Sequence, residues 1–264
     1  MDEKALIETI TSEILKRLQG EAVGQTAKPG PIEGSGYRVP MDSKELAQYI
    51  DHTMFKPDAV NSAYDQVCAE AVQYHFKSVC VNSSWVPYVA KKLQGTGVKI
   101  CSVVGFPLGA MTSRSKAFET REAIEHGASE IDMVLAIGKL KSGDFDYVEQ
   151  DILAVRRATR SNTILKVIIE TSMLTQEEKV MACQIAKRAG ANFVKTSTGF
   201  GGGGASVEDI ALMKNVVGKG MEVKASGGVR DYDKAMSMIG AGATRIGAVS
   251  SVAIVTGKKG TGSY

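Results

Sequence analysis

"RAGANFVKTSTGFGGGG", residues 188–204, holds the unit from which the fold is read. A helical pattern stops at Gly190 and the chain turns through Ala191 and Asn192. An apolar run opening at Phe193 then carries Lys195 before hydroxyl residues and glycines take over. A glycine just past a helix supplies the left-handed residue that ends it and sends the chain back. The same phrase recurs in "HGASEIDMV" and "GAGATRIGA", each between a helical stretch and an apolar run. Repetition of helix, glycine and strand marks a sheet built from crossover units.

Working outward, eight β-branched runs can be placed, at residues 49–53, 77–82, 98–106, 130–137, 163–171, 193–198, 222–228 and 244–250. Several are apolar at nearly every residue, as parallel strands covered on both faces require. Amphipathic stretches such as "SRSKAFETREAIEHG", "DYVEQDILAVRRATR" and "TQEEKVMACQIAKRAG" separate them. Eight strands alternating with helices predict an α/β fold, a (β/α)8 TIM barrel, with a doubly wound open sheet as the alternative. In a barrel, function belongs where strands end and pass into the following loops.

Asp132, Lys166, Lys195 and Lys224 each interrupt an apolar strand. A buried charge is costly unless it is paired or used. One such lysine is explained by a structural ion pair; several on successive strands must converge if the strands close into one barrel. A second ammonium and a partly dry site would both favour the neutral form of an amine, so Lys224 is expected to lower the pKa of Lys195. A neutral amine is what carbonyl attack and Schiff-base formation need. Asp132 is either a proton shuttle or an ion-pair partner.

The motifs "YIDHTMFKPDA", "SVVGFPLGA", "EIDMVLAIGKLKSGD", "LKVIIETSML", "FVKTSTGF" and "EVKASGGVRD" follow one another in an order that strongly resembles the deoxyribose-phosphate aldolase family, over residues 43–257. The resemblance implies a metal-independent class I aldolase, a lyase with no cofactor. Its reaction would be reversible cleavage of 2-deoxy-D-ribose 5-phosphate to D-glyceraldehyde 3-phosphate and acetaldehyde. Lys195 would form the Schiff base, Lys224 would depress its pKa, and Asp132 would act as acid and base through a bound water. Asp51 would support the proton relay, Lys166 would help arrange the charges, and His52 is left structural. The resemblance also favours a homodimer or homotetramer. Two other readings use the same residues: a phosphosugar isomerase whose lysines only bind anions, and a non-catalytic barrel recruited to a protein shell.

Backbone N–H groups in "TGFGGGG", "SGGVR" and "GAVSS" suit a phosphate, and such barrels often bind one after strands seven and eight. Gly199, Gly227, Gly228, Arg230, Gly247 and Ser250 are the candidates. Gly202, Gly203 and Gly204 fit a bare flexible loop equally well. Family members commonly carry two serines directly after the strand-eight "GT" or "GA", whereas Val249 stands at the first of those positions here.

Composition narrows the field. Of 264 residues 44% are hydrophobic, and 32 basic against 29 acidic residues give a net +3 without basic blocks, which argues against a nucleic-acid partner. Cys68, Cys80, Cys101 and Cys183 form no C-x-x-C pair and read as buried thiols; His52, His75 and His126 are too scattered for a zinc site. No apolar run reaches the ~18 residues of a membrane span, and the N-terminus lacks a secretory pattern, so a cytoplasmic protein is expected.

Residues 1–21 place Leu6, Ile7, Ile10, Ile14, Leu15 and Leu18 on one helical face, with Glu8, Ser12, Lys16 and Gln19 opposite. Residues 22–42, rich in Gly and Pro, read as a flexible linker, and residues 258–264 as a flexible C-terminal tail. An isolated helix this short is marginal in water and needs a surface to cover its apolar stripe. Docking on its own barrel or help in oligomerisation would meet that need. The arrangement also resembles the encapsulation peptides of bacterial microcompartments, which implies a shell-protein partner and a place in the compartment lumen.

Overall fold

The computed structural model describes Thr9, Ser12 and residues 42–262. The helix expected at 1–21 and the linker at 22–42 therefore lie outside the described residues, except at Thr9, Ser12 and Asp42. Asp42, read as the last linker residue, is the N-cap of α1 (Ser43–Ala47), its carboxylate accepting from the N–H of Glu45 at 2.8 Å.

Eight parallel strands close into a barrel in sequence order: β1 Ile50–Met54, β2 Ser78–Val81, β3 Lys99–Val104, β4 Glu130–Val134, β5 Ile164–Ile168, β6 Phe193–Lys195, β7 Glu222–Ser226 and β8 Arg245–Ala248. Pairing of β1 with β8 excludes the open-sheet alternative. Among the described residues nine further α-helices pack around the wall: α2 Asn61–Tyr74, α3 Val86–Leu93, α4 Ser113–Glu125, α5 Ile137–Lys141, α6 Phe145–Ala158, α7 Gln176–Arg188, α8 Val207–Val217, α9 Tyr232–Gly240 and α10 Ser251–Val255.

The recurring glycine phrase has one structural meaning at all three sites. Gly127, Gly190 and Gly242 adopt φ of 115°, 76° and 114°. The next residue reaches back in each case, from Ala128 to Ala123, Ala191 to Ala186 and Ala243 to Met238. That pattern is the Schellman ending, which satisfies helix carbonyls while turning the chain into the next strand.

All eight expected strands are present, yet most stop one to three residues early. β4 ends at Val134, although the Leu135 N–H still donates to the Ile168 carbonyl at 2.9 Å, and Ile137 starts α5. Thr196 to Thr198 leave β6, the N–H and hydroxyl of Thr198 being held by Glu170. These overshoots lie on the strands' C-terminal rim. From residue 258, where a free tail was expected, the described chain folds back: the Gly260 N–H donates to the Arg230 carbonyl at 3.0 Å.

The barrel has two interiors. Between strands and helices lies the main apolar core, including Val79, Ile131, Leu165, Val194, Val223 and Ile246. Inside the strand ring, Phe55, Cys80, Cys101 and Val103 form a small apolar cluster on the β1 to β3 side, with Phe106 against it. The opposite side of that ring is charged.

Candidate active site

Parallel pairing fixes which charges meet. Lys166 is the Cα partner of Asp132, and Lys195 of Lys224. Glu130 lies two residues before Asp132 on β4, so the period of two sends both carboxylates to the same face. Arg245 is paired with Lys224 in the β7–β8 register.

All five predicted catalytic candidates come together in one buried cluster. Asp132 is at its centre: Oδ2 accepts from Lys195 at 2.8 Å and from Lys224 at 2.7 Å, while Oδ1 accepts from Lys166 at 2.7 Å. Lys224 also meets Asp51 at 2.5 Å, and Lys166 meets Glu130 at 2.6 Å and Asp51 at 3.9 Å. Arg245 bridges Asp51 and Glu130 at 2.7 and 2.8 Å, and the Ser78 hydroxyl donates to Asp51 at 2.6 Å. Four cationic side chains thus face three carboxylates, an excess of one positive charge inside the ring.

The electrostatics follow from these contacts. Burial opposes ionisation of Asp132, but Lys166, Lys195 and Lys224 outweigh it and hold its carboxyl well below the usual range. Asp51 is likewise lowered, burial being overcome by Arg245, Lys224 and Lys166. Lys224 keeps its proton: burial works against the charge, yet Asp132 and Asp51 raise it well above an ordinary lysine. Lys166 is raised in the same way by Asp132 and Glu130, and Arg245 by Asp51 and Glu130. Lys195 differs in geometry, with Asp132 its single carboxylate contact among the described residues. It alone of the three cluster lysines has a trace of exposure, 2% against none. Its Nζ lies 5.8 Å from the centre of the Phe55 ring, on the apolar side of the interior.

Beside the cluster, at the C-terminal rim, lies a cavity of about 380 Å³ whose lining includes Gly199, Gly227, Gly228, Arg230, Gly247 and Ser250. All six predicted phosphate candidates therefore share one concavity. Val249 and Gly262 also border it. Gly203, Gly204 and Gly247 are packed against neighbouring chain, whereas Gly202 and Gly228 face open space. A Cβ on Gly204 would stand 2.4 Å from the Gly227 carbonyl oxygen, and one on Gly247 would stand 3.0 Å from Lys224 Cε. Lys224 thus lies against the backbone of β8.

His52 is a buried structural residue in its contacts, Nε2 on Glu70 at 2.7 Å and Nδ1 on the Ser251 hydroxyl at 2.9 Å. Several site neighbours escaped the sequence reading. Glu130 and Arg245 share inward faces with Asp132 and Gly247, a signal that alternation alone offered. Glu170, with φ of 56°, anchors Thr198 in a way no local pattern announces. Cys101 donates to Asp132 Oδ1 at 3.0 Å, with Cys80 on the neighbouring strand. Cys80, Cys101 and Asp132 offer donor atoms within 4.8 Å of one another. Three ammonium groups already occupy the Asp132 oxygens, so this set is ill suited to a cation.

The DeoC/LacD family aldolase pattern matches residues 40–257. The chain belongs to that family. A deoxyribose-phosphate aldolase of Streptococcus gordonii is 57% identical over 220 residues, covering 83% of this chain and 100% of that one. One from Brevibacillus brevis is 58% identical over 218 residues, with 83% and 98% covered. The structure of a deoxyribose phosphate aldolase from Aeropyrum pernix, described as a unique tetramer, superposes with a TM-score of 0.76 at 31% identity, covering 81% of this chain and 91% of that one. As a DeoC/LacD aldolase the protein is an enzyme of the lyase class, and of its charged cluster Lys195 is the last residue of its strand, on the side where such barrels carry their active sites.

Proposed function

We propose that the protein catalyses reversible cleavage of 2-deoxy-D-ribose 5-phosphate to D-glyceraldehyde 3-phosphate and acetaldehyde through a Schiff base on Lys195. The observation that carries this reading is the shared Asp132 Oδ2: two lysines contact one oxygen, and of the two only Lys195 lacks a second carboxylate among the described residues and has any exposure. Of the cluster lysines Lys195 is held by the fewest contacts, and so is the one most readily turned to a substrate carbonyl. Lys224, held charged, then stays beside it as a fixed positive neighbour.

In the cleavage direction the neutral amine of Lys195 adds to the sugar aldehyde, and loss of water gives the cationic imine. A base takes the proton of the C3 hydroxyl as the C2–C3 bond breaks. The bonding pair moves toward the imine nitrogen, leaving an enamine and releasing glyceraldehyde 3-phosphate. Protonation of the enamine carbon and addition of water to the imine release acetaldehyde and restore the amine. Asp132 and its attached cations are placed to hand protons in these steps, with Asp51 and Lys166 fixing Asp132 from behind. We assign the phosphate to the glycine-lined cavity, where Arg230 supplies charge and Gly199, Gly227, Gly228, Gly247 and Ser250 line the approach.

Borohydride reduction in the presence of acetaldehyde tests the reading. A two-carbon adduct mapped to Lys195, absent in Lys195→Ala and retained in Lys224→Ala, supports it. An isomerase or an inert scaffold would give no adduct.

Residues 1–21 are proposed to be an encapsulation peptide for a microcompartment shell protein. Supporting this, the family match begins at residue 40, and the Streptococcus gordonii relative is covered in full by 83% of this chain. Deleting residues 1–36 should leave turnover intact and abolish co-purification with shell proteins; equal recovery would reject it. A homo-oligomer, dimer or tetramer, is proposed for the barrel and is checked by light scattering.

A further inference from the structure

The aldol steps above make no use of two thiols inside the strand ring. Cys80 and Cys101 are Cα partners on β2 and β3. Adjacent strands hold such partners about 5 Å apart, inside the range a disulfide spans. Both side chains belong to the inner apolar cluster, both are free thiols, and their sulfurs lie within 4.8 Å of each other and of an Asp132 oxygen. Cys101 is also built into the charged cluster. Its Sγ donates to Asp132 Oδ1 at 3.0 Å and receives Lys166 Nζ at 3.4 Å, while Cys80 Sγ stands 4.0 Å from Asp132 Oδ2.

We propose that Cys80 and Cys101 form a peroxide-responsive dithiol site, whose closure to a disulfide switches the aldolase off. The two thiols have different parts. Burial and the Asp132 carboxylate oppose the thiolate of Cys80, but the adjoining Cys101 and the charge of Lys224 outweigh them and bring its thiol below the ordinary value. Burial and the neighbouring Cys80 push the Cys101 thiol well up. Cys80 is therefore the attacking sulfur and Cys101 the resolving one.

The Cys80 thiolate attacks one oxygen of hydrogen peroxide, forming an S–O bond as the O–O bond breaks and hydroxide leaves. Hydroxide takes the proton of Cys101, giving water. The Cys101 sulfur then attacks the Cys80 sulfur, the S–S bond forms, the S–O bond breaks, and the departing oxygen takes a second proton as water. Two thiols and one peroxide become one disulfide and two waters. A site that admits a two-carbon aldehyde to Lys195 admits a molecule of that size. Closure removes the Cys101 S–H from Asp132 and draws its sulfur from Lys166, so the carboxylate that organises the lysines loses part of its support.

The bond itself does not depend on the aldol reading, whereas its effect on turnover does, and the test separates them. Full-length protein is treated with hydrogen peroxide, digested without reduction and examined by mass spectrometry, with turnover followed in parallel. Expected are a peptide pair linking Cys80 to Cys101, loss of most turnover, and recovery with dithiothreitol. Cys68 and Cys183, behind the barrel wall, should remain free thiols. Cys101→Ala, compared with its own untreated activity, should give no linked peptide and should carry Cys80 as a sulfenic acid that dithiothreitol reduces, passing with excess peroxide to a sulfinic acid that it does not. Absence of the linked peptide overturns the dithiol site, and a linked peptide with undiminished turnover overturns the switch. Equal sulfinic oxidation of Cys80 in the parent and in Cys101→Ala would overturn the resolving role of Cys101.

Discussion

Lys116 lies behind the barrel wall, where its Nζ meets Asp151 Oδ2 at 2.5 Å and the Val134 carbonyl at 2.9 Å. Lys195 lies inside the ring, 2.8 Å from Asp132. Both are buried, and each has one carboxylate. The difference is in what else touches that carboxylate. Asp151 pairs with one lysine between α4 and α6, a closed account of charge. Asp132 is shared among three lysines, within a ring where cations outnumber carboxylates. Burial is the larger influence on Lys116 and lowers its pKa, with Asp151 opposing. Buried pairing alone therefore describes Lys116; a shared carboxylate, a surplus of cations and a trace of exposure set Lys195 apart from it.

That contrast can be broken at its strongest point. Lys195→Ala should lower kcat by about 10⁴-fold or more, as loss of a covalent nucleophile does, and abolish the reduced adduct in an intact-protein mass measurement. A variant retaining substantial turnover would remove the basis for separating the two lysines. Lys224→Leu should cost on the order of 10²-fold in kcat and move the pH optimum upward, since a fixed positive neighbour is lost. An unchanged pH–rate profile would show that Lys224 is not coupled to the chemistry.

Lys116→Met gives the opposite pattern. It strands Asp151 in the core, and about 3 kcal/mol of stability should disappear in urea unfolding while kcat of the folded fraction is kept. Acid sensitivity sharpens the same comparison. Asp132 and Asp51 have folded values below the ordinary 3.8, so the folded chain holds fewer protons there than the unfolded one. Their contribution to stability is complete above about pH 3.8 and is lost as pH falls through their lower folded values. Unfolding free energy should decline across that window, and Asp51→Asn should decline less steeply from its own neutral-pH value; parallel slopes would contradict the assignment. The smallest effect is expected at the rim. Val249→Ser should lower KM for the phosphorylated sugar about fivefold by adding a hydroxyl donor, with no change for unphosphorylated 2-deoxyribose.

Much of this was legible beforehand because the relevant signals are local. Glycines at 127, 190 and 242 announced the returns to strand, and lysines in apolar runs announced an interior of unusual charge. What escaped was set by register. Nothing near residue 80 says that position 101 is its partner, so Cys80 and Cys101 read only as buried thiols. Nothing near Glu130 says that its carboxylate meets Arg245 from the far end of the chain. Strand ends were overdrawn for a related reason: Thr198 belongs to an apolar, β-branched pattern, yet its N–H is taken by Glu170 instead of a ladder partner.

The place where the chain joins the barrel has a consequence for assembly. Asp42 caps α1, and Ala47 at its end accepts from Lys77 just ahead of β2, on the side where strands begin. The glycine-lined cavity opens where strands finish. Anything anchored through the preceding residues is thus hitched to the blind pole of the cylinder. The point of attachment at residue 42 and the doorway for substrate thus occupy opposite ends of the cylinder.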